Sequence, residues 1–534
     1  MSSAQITKPM LMEFWTFIKY ALTGVFNTTL TYAIFSILVY IHIQPSMALA
    51  IGYIFGMVSS YAINSQWTFR QSRNLWSYFG HFLVINLLVL AISEVTLHEL
   101  LHYIHTPYIA QLVNVIPMTI IGYLSNRYLV FVPKIKPIIK SSQNHPPQLQ
   151  VLAGFSKDLF VFAAATAITQ RLWLTLYTLA VLFIHKQKIS WYNLFLTYYR
   201  HWDSGWYLEI AQHGFLNLKE TAFWPLYPIF MYTVHEVARI SLLTSGVLVS
   251  FVAFIFFLYY LGRITTIEFG PTIARTAILL FAFFPTSYYF DAIYTESLFM
   301  VLCVAAIDRA MANKFWVAGF LAGLATLTRN TGVFLDLILL FEYLHHRNMD
   351  LRFWTRSWWR YLDVQIFALT LPAVMLALYM IYLKVRTGHL LAFLTAEKYW
   401  NRHYMPLWDT YYFTWLRMLH SSGWTHEYFL IELTMITLAI FMAIIGMQYI
   451  RRSYRLFSWW LYMIVVLWIA ATEPSLDVKD YLVSFPRYIL MLFPGFIFLS
   501  VAVHSVRATP LLLLLFALGL GILGHLFFHG VWIA

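Results

Sequence analysis

The chain has 534 residues, of which 60% are hydrophobic, 19% aromatic and only 11% charged, and its formal net charge is +12. So little charge cannot cover a soluble globule of this length, which excludes that class and puts the chain among membrane proteins. There Lys and Arg mark cytoplasmic loops and lipid phosphate, so the basic balance is no nucleic-acid signal, and the single cysteine, Cys303, excludes internal disulfides and CxxC metal sites.

Apolar runs of roughly 20 residues recur from end to end, each long enough to cross about 30 Å of hydrocarbon. The N-terminus carries Lys8 and Lys19, but no small-residue cleavage site follows its first apolar run, so that run is expected to stay as a helix. Residues 15–41 and 45–63 form one hydrophobic pair, and 76–97 and 108–132 form a second. The loops 42–47 and 98–107 hold no Lys or Arg, whereas Lys8, Arg70, Arg73, Lys134, Lys136 and Lys140 fall on the opposite side. That bias predicts a four-helix unit with both ends cytoplasmic.

The two hairpins end alike, with Tyr61-x-x-Asn64-x-x-x-x-Phe69 and Tyr123-x-x-Asn126-x-x-x-x-Phe131. Such a repeat fits a lipid or solute carrier, and equally an aromatic belt at the membrane interface. The layout, the stretch KYALTGVFNTTLTYAIF and the stretch NSQWTF resemble the GtrA-like family. The resemblance implies a domain that binds or flips polyprenyl-phosphate sugars, with Asn64, Trp67, Phe69, Arg70 and Asn126 as its lipid-site positions.

Residues 133–156 are rich in Pro, Lys and Ser/Gln and read as a linker. The expected organisation is therefore a membrane domain over 1–140, a cytoplasmic linker over 141–156 and a second membrane domain over 157–534. In the last, spans are expected at 157–185, 246–262, 272–290, 297–312, a shorter pair within 315–345, then 364–384, 426–449, 456–472, 486–505 and 511–533. The total is about 15 transmembrane helices, with the C-terminus outside and residues 226–245 undecided between span and loop.

This topology leaves three outside loops carrying Lys and Arg against the usual bias: 186–219, 384–402 and 479–487. They also carry Asp203, Glu209, Glu397 and Asp480, and Asp477 stands just before the last of them. Cations on that side point to an anionic ligand, although long external loops are exempt from the charge rule. Glycosyl transfer from a lipid phosphate needs a base for the acceptor hydroxyl and cations for the leaving phosphate. Asp203, set among His201, Trp202, Trp206, Tyr207 and Glu209, is the candidate base, and the rings offer faces for sugar stacking. Arg487, in SFPRY, is a candidate phosphate clamp, and the two could equally pair with each other. Lys398 and Arg402 join the phosphate candidates.

Five motifs in order, HWDSGWYLEIAQHGF, FWPLYP, FDAIYTESLF, AGFLAGLATLTRNTG and SFPRY, resemble the membrane mannosyltransferase family that includes GPI mannosyltransferase 2 (PIG-V-like). More broadly they resemble the GT-C superfamily of integral glycosyltransferases. The resemblance implies an all-α polytopic fold with external juxtamembrane helices. It further implies an inverting transfer from a polyprenyl-phosphate sugar to a glycolipid, glycan or protein acceptor outside the cytoplasmic membrane. By it Asp203 is the general base, while Tyr227, Asp291, Tyr294 and Glu296 hold sugar or acceptor hydroxyls. Arg329 touches the donor phosphate or neutralises a carboxylate, since an unpaired charge between apolar segments is costly.

No DxD motif lies in the first external loop, and His201, His213 and His403 are scattered, so no metal or other cofactor is expected. GxxxxGK[ST] and G-x-S-x-G do not occur. The rival class is a lipid or solute transporter whose external loops only gate.

Overall fold

Segments apolar on every face bury themselves in lipid as helices, because only a helix satisfies its own backbone there. The computed structural model bears this out: apart from isolated bridges at Arg402–Ser475 and Ser475–Asp480, the described residues are helices and turns. The structure describes residues 155–533 except 187, 348, 350–361, 398, 400, 451, 476–478, 506 and 507, together with scattered positions between 16 and 126. The chain divides into two compact units, Met1–Ser142 and Gln143–Ala534.

In the first unit, Asn126 is fully buried. It donates from Nδ2 to the Gly122 carbonyl (2.9 Å) and to the Tyr20 hydroxyl (3.1 Å), and accepts from Asn86 Nδ2 (3.2 Å). Gly122 is required there, since a Cβ would lie 2.8 Å from the Tyr20 hydroxyl. Asn64, also buried, opens a π-helical turn, Asn64–Thr68, and donates to Ser60 Oγ at 3.2 Å. Trp67 of that turn is exposed, with Lys19 Nζ 5.5 Å from its ring centre. Phe69 and Arg70 lie outside the described residues.

The second unit contains α1 (Lys157–Ile184), α2 (Ser204–His213), α3 (Leu226–Ala238), α4 (Leu242–Phe269), α5 (Pro271–Ala282), α6 (Glu296–Met311), α7 (Phe315–Thr328) and α8 (Leu335–His346). It continues with α9 (Leu371–Thr387), α10 (Leu407–Leu419), α11 (Trp424–Gly446), α12 (Tyr454–Ala471), α13 (Phe493–Ser505) and α14 (Thr509–Phe528). Among the described residues six helical stretches are long and apolar enough to cross a membrane, or seven if the bent pair Phe485–Met491 and Phe493–Ser505 counts as one. α4 is the hub, packing against α1, α3, α5 and α6, while α13 packs on α5 and α11.

Prolines account for most departures from the expected spans. The run 272–290 stops being α-helical at Ala282 and resumes as a 3-10 turn, Ser287–Phe290, because Pro285 cannot donate to the ladder. The run 364–384 starts as a 3-10 turn, Val364–Thr370, and becomes α-helical where Pro372 sits in the first turn. Residues 226–245, undecided from the sequence, form the 13-residue helix α3, a left-handed Arg239 and the start of α4, which Ser241 caps by accepting from Thr244 N.

Two ion-pair clusters tie the helices together. Arg263 of α4 donates to Asp308 of α6 at 2.8 Å. Arg455 of α12 reaches Glu268 of α4 and Glu342 of α8, including a 2.9 Å bond from Nη2 to Glu342 Oε2. The glycines of AGFLAGLATLTRNTG have a packing reason: a Cβ on Gly332 would lie 2.4 Å from Thr326 N, so only glycine lets the chain fold back after Arg329.

Candidate active site

The polar loops between these helices converge on one cavity of about 540 Å³. Asp203 and Tyr207 line it from the start of α2, Thr295 from the residue before α6, and Arg329 from the end of α7. Glu397, Arg402, Arg417, Glu473, Asp480 and Arg487 complete its charged lining, Tyr428 is among its polar side chains, and Phe223, Trp224 and Trp532 are among its aromatic rings.

At its centre four charged groups form a chain. Arg487 Nη1 donates to Asp203 Oδ2 at 2.5 Å across 284 positions of sequence. Arg487 Nε lies 3.0 Å from Glu296 Oε1, and Arg329 Nη1 donates to the same oxygen at 2.7 Å and to Thr295 Oγ1 at 3.1 Å. The guanidinium of Arg487 also faces the Tyr294 ring at 5.2 Å, and that of Arg329 the Tyr488 ring at 5.4 Å. Two acids and two guanidiniums balance, so these charges can be held in a site that is largely buried. Glu296 Oε2 is buried behind the cavity lining and has no hydrogen-bond partner among the described residues.

Backbone strain concentrates at this cavity. Seven described non-glycine residues have positive φ, and four of them flank its charged groups. Trp202 (φ 53°) precedes Asp203, Asn401 (46°) precedes Arg402, Lys479 (53°) precedes Asp480, and Ser484 (64°) starts the turn that presents Arg487. Left-handed conformations at such residues cost on the order of 1–3 kcal/mol and persist where the surroundings dictate them, which is a recurrent property of functional sites. Here the Asp203 loop is pinned to the segment before α6 by Ile293 N donating to the Tyr199 carbonyl (3.1 Å) and the Tyr294 hydroxyl to the His201 carbonyl (3.2 Å).

A second polar group lines the cavity. Arg402 Nη1 donates to the Glu473 carbonyl at 2.9 Å. Burial opposes charge on Arg402, but Tyr488, Glu397, Glu473 and Asp480 outweigh it and raise its pKa. Burial likewise raises the carboxyls of Glu397 and Glu473, against the pull of Arg402. The Tyr428 hydroxyl bridges two buried carboxylates, Asp480 Oδ2 at 2.6 Å and Glu432 Oε1 at 2.9 Å, and Asp480 Oδ1 stays unpartnered.

Of the residues singled out from the sequence, Asp203, Tyr207, Arg329, Arg402 and Arg487 line the cavity, and Glu296 stands directly behind it. Lys398 lies outside the described residues. The others are placed elsewhere. His201 turns to the C-terminal helix, its Nε2 3.0 Å from the Phe528 carbonyl, and burial lowers its pKa. Trp202 is half-exposed, edge-on to Trp532 at 4.8 Å, and Trp206 stacks on Phe223 at 5.6 Å. Glu209 is exposed. Tyr227 is buried and donates to the Gly246 carbonyl at 3.0 Å. Tyr294 supports Arg487 from behind.

Asp291 is wholly buried, 3.7 Å from Arg171 Nη1, and burial pushes its carboxyl up to about 6 against the opposing pull of Arg171. Among the described residues no group of three His, Cys, Asp or Glu side chains is placed to hold a metal. Arg417, Tyr428, Glu473 and Trp532 carried no usable sequence signal: Arg417, Tyr428 and Trp532 sit in aromatic stretches without a recognisable motif, and Glu473 is a lone acid at the end of an apolar run. Glu397 and Asp480 were visible only as acids in cation-bearing loops.

Residues 19–131 match the family described as GtrA/DPMS, transmembrane domain, and residues 186–389 match the family described as Mannosyltransferase (PIG-V). GPI alpha-1,6-mannosyltransferase 2 of Homo sapiens is 29% identical over 143 residues, which is 25% of this chain and 29% of the relative. The Cricetulus griseus protein of that name is 32% identical over 142 residues, with the same coverage. GPI mannosyltransferase 2 of Schizosaccharomyces pombe is 31% identical over 150 residues, 27% of this chain and 31% of the relative. The chain thus spans less than a third of the length of these curated relatives, and no solved structure matches it. It is a membrane protein in which one stretch is similar to the GtrA/DPMS transmembrane domain and a separate, later stretch is similar to the PIG-V mannosyltransferase family.

Proposed function

We propose that residues 157–534 form an inverting mannosyltransferase of GT-C type that draws on a polyprenyl-phosphate sugar. The observation that carries the reading is Asp203 held at 2.5 Å by Arg487 in a cavity lined by acids, guanidiniums and aromatic rings. The match of residues 186–389 to a mannosyltransferase family supports it.

Arg487 engages Oδ2, and no described residue bonds Asp203 Oδ1. Oδ1 takes the acceptor's hydroxyl proton. The acceptor oxygen then bonds to the anomeric carbon from one face. On the opposite face the bond to the phosphate oxygen breaks, and its electron pair leaves with the phosphate. Configuration therefore inverts. Tyr207, Phe223 and Trp224 present flat faces to the sugar, and guanidinium groups neutralise the charge that develops on the phosphate. The positive charge comes from protein side chains, so the reaction is read as metal-independent. The face is taken as extracytoplasmic, in the cytoplasmic membrane.

The N-terminal domain, residues 1–140, is read as binding or flipping the same lipid, so that one polypeptide holds donor and enzyme at high effective concentration. Its match to the GtrA/DPMS transmembrane domain supports this. The acceptor is a glycolipid, glycan or protein.

The test is release of polyprenyl phosphate from polyprenyl-phosphate mannose by the purified full chain. Asp203→Asn is expected to keep the fold and lose release. Release at the wild-type rate by that variant would remove Asp203 from the role, and no release by the wild type would favour a transporter. Deleting residues 1–140 is expected to spare transfer from supplied donor and to abolish it in cells.

A further inference from the structure

In a displacement that inverts the anomeric carbon, base and leaving group lie on opposite faces of that carbon. A guanidinium bonded to the base is therefore badly placed to receive the departing phosphate. Arg487 is so bonded, through Asp203 Oδ2 at 2.5 Å, and Arg329 is taken by Glu296 at 2.7 Å. Arg402 is surrounded by Glu397, Glu473 and Asp480 and donates to a backbone carbonyl. Each of these three cations already has acid beside it.

Arg417 differs. It comes from α10, a different element from those that carry Asp203, Arg329 and Arg487, and it lines the same cavity. Its guanidinium makes no hydrogen bond or ion pair with a described residue, and its Nε is buried without a partner. Its guanidinium carbon lies 5.8 Å from the ring centre of Phe429 of α11. An uncompensated guanidinium in the cavity of a membrane protein is costly unless an anion arrives. Planar, multidentate donation matches phosphate oxygens.

We propose that Arg417 is the phosphoryl anchor of this cavity, binding the phosphate of a lipid-linked substrate. The assignment rests on the transferase reading for its purpose, but binding alone can test it.

The full chain in nanodiscs is titrated with polyprenyl phosphate, with polyprenol of equal length, and with phosphatidylglycerol as a lipid phosphodiester. Wild type should prefer polyprenyl phosphate over polyprenol, and Arg417→Met should lose about tenfold or more of that preference while polyprenol binding stays constant. Arg417→Lys should recover part of it. A loss confined to phosphatidylglycerol would support the same anchor with a phosphodiester lipid as its ligand. Wild-type affinity for both phosphorylated probes in Arg417→Met, at an unchanged thermal midpoint, overturns the proposal. Asp203→Asn should bind as wild type and transfer about a hundredfold or more slower, which separates failure of the anchor from failure of the transferase reading.

Discussion

Two charge networks in the second unit are built from the same chemistry and differ in one respect. Arg455 clamps Glu268 and Glu342 between α12, α4 and α8. Asp203, Arg487, Glu296 and Arg329 form a chain of similar close contacts. The first network lines no part of the cavity, and no oxygen of its two carboxylates is left buried without a partner. The second opens on the cavity, keeps Glu296 Oε2 unpartnered and is presented by residues in left-handed conformations. Ion pairing by itself therefore does not mark a site. Access, unmet hydrogen-bonding capacity and backbone strain do.

The comparison can be broken by exchanging the two kinds of damage. Asp203→Asn should cut transfer by about 10²–10⁴-fold, the usual reach of a positioned base, with the thermal midpoint almost unchanged. Arg455→Met should do the reverse. It leaves two carboxylates without their cation, a loss of about 3–5 kcal/mol for a buried pair, while the folded fraction keeps its turnover number. Chemical denaturation and turnover, measured on both variants, would refute the contrast if Asp203→Asn unfolded or Arg455→Met lost turnover without losing stability.

A third acid sharpens the point through pH. Asp291 is raised to about 6 from an ordinary 3.8 because burial outweighs Arg171. A carboxyl that holds its proton more tightly folded than unfolded stabilises the fold below the unfolded value. That contribution is lost as pH rises through the folded value. Stability should therefore fall by on the order of 3 kcal/mol between about pH 4 and pH 6. Asp291→Asn should flatten that part of the curve and melt higher than wild type above pH 6. Equal pH dependence in both proteins would show that Arg171 offsets burial fully.

Much of the site was legible in parts. The stretch around Asp203 and the SFPRY turn stood out as charged, aromatic breaks between greasy runs, and Arg487 was visible as a cation against the charge bias. Their pairing was one of two readings open to them. The sequence could not separate the acids that line the cavity from Asp291, which is wholly buried and does not line it, or from Glu209, which is exposed. All three stand beside aromatic residues in polar stretches. Arg417 was missed because one cation in an aromatic helix looks like an interfacial anchor.

By itself the sequence determined the membrane class, the positions of most helices and the two domain resemblances. Each follows from composition, hydropathy or motifs read within short windows. Only the tertiary structure decided that Asp203 meets Arg487 across 284 residues, that Glu296 stands between two guanidiniums, and that Arg417 faces the cavity without an acid. Burial in lipid is a local property summed along a segment. A site is set by which helix ends packing brings together, and no local window contains that information.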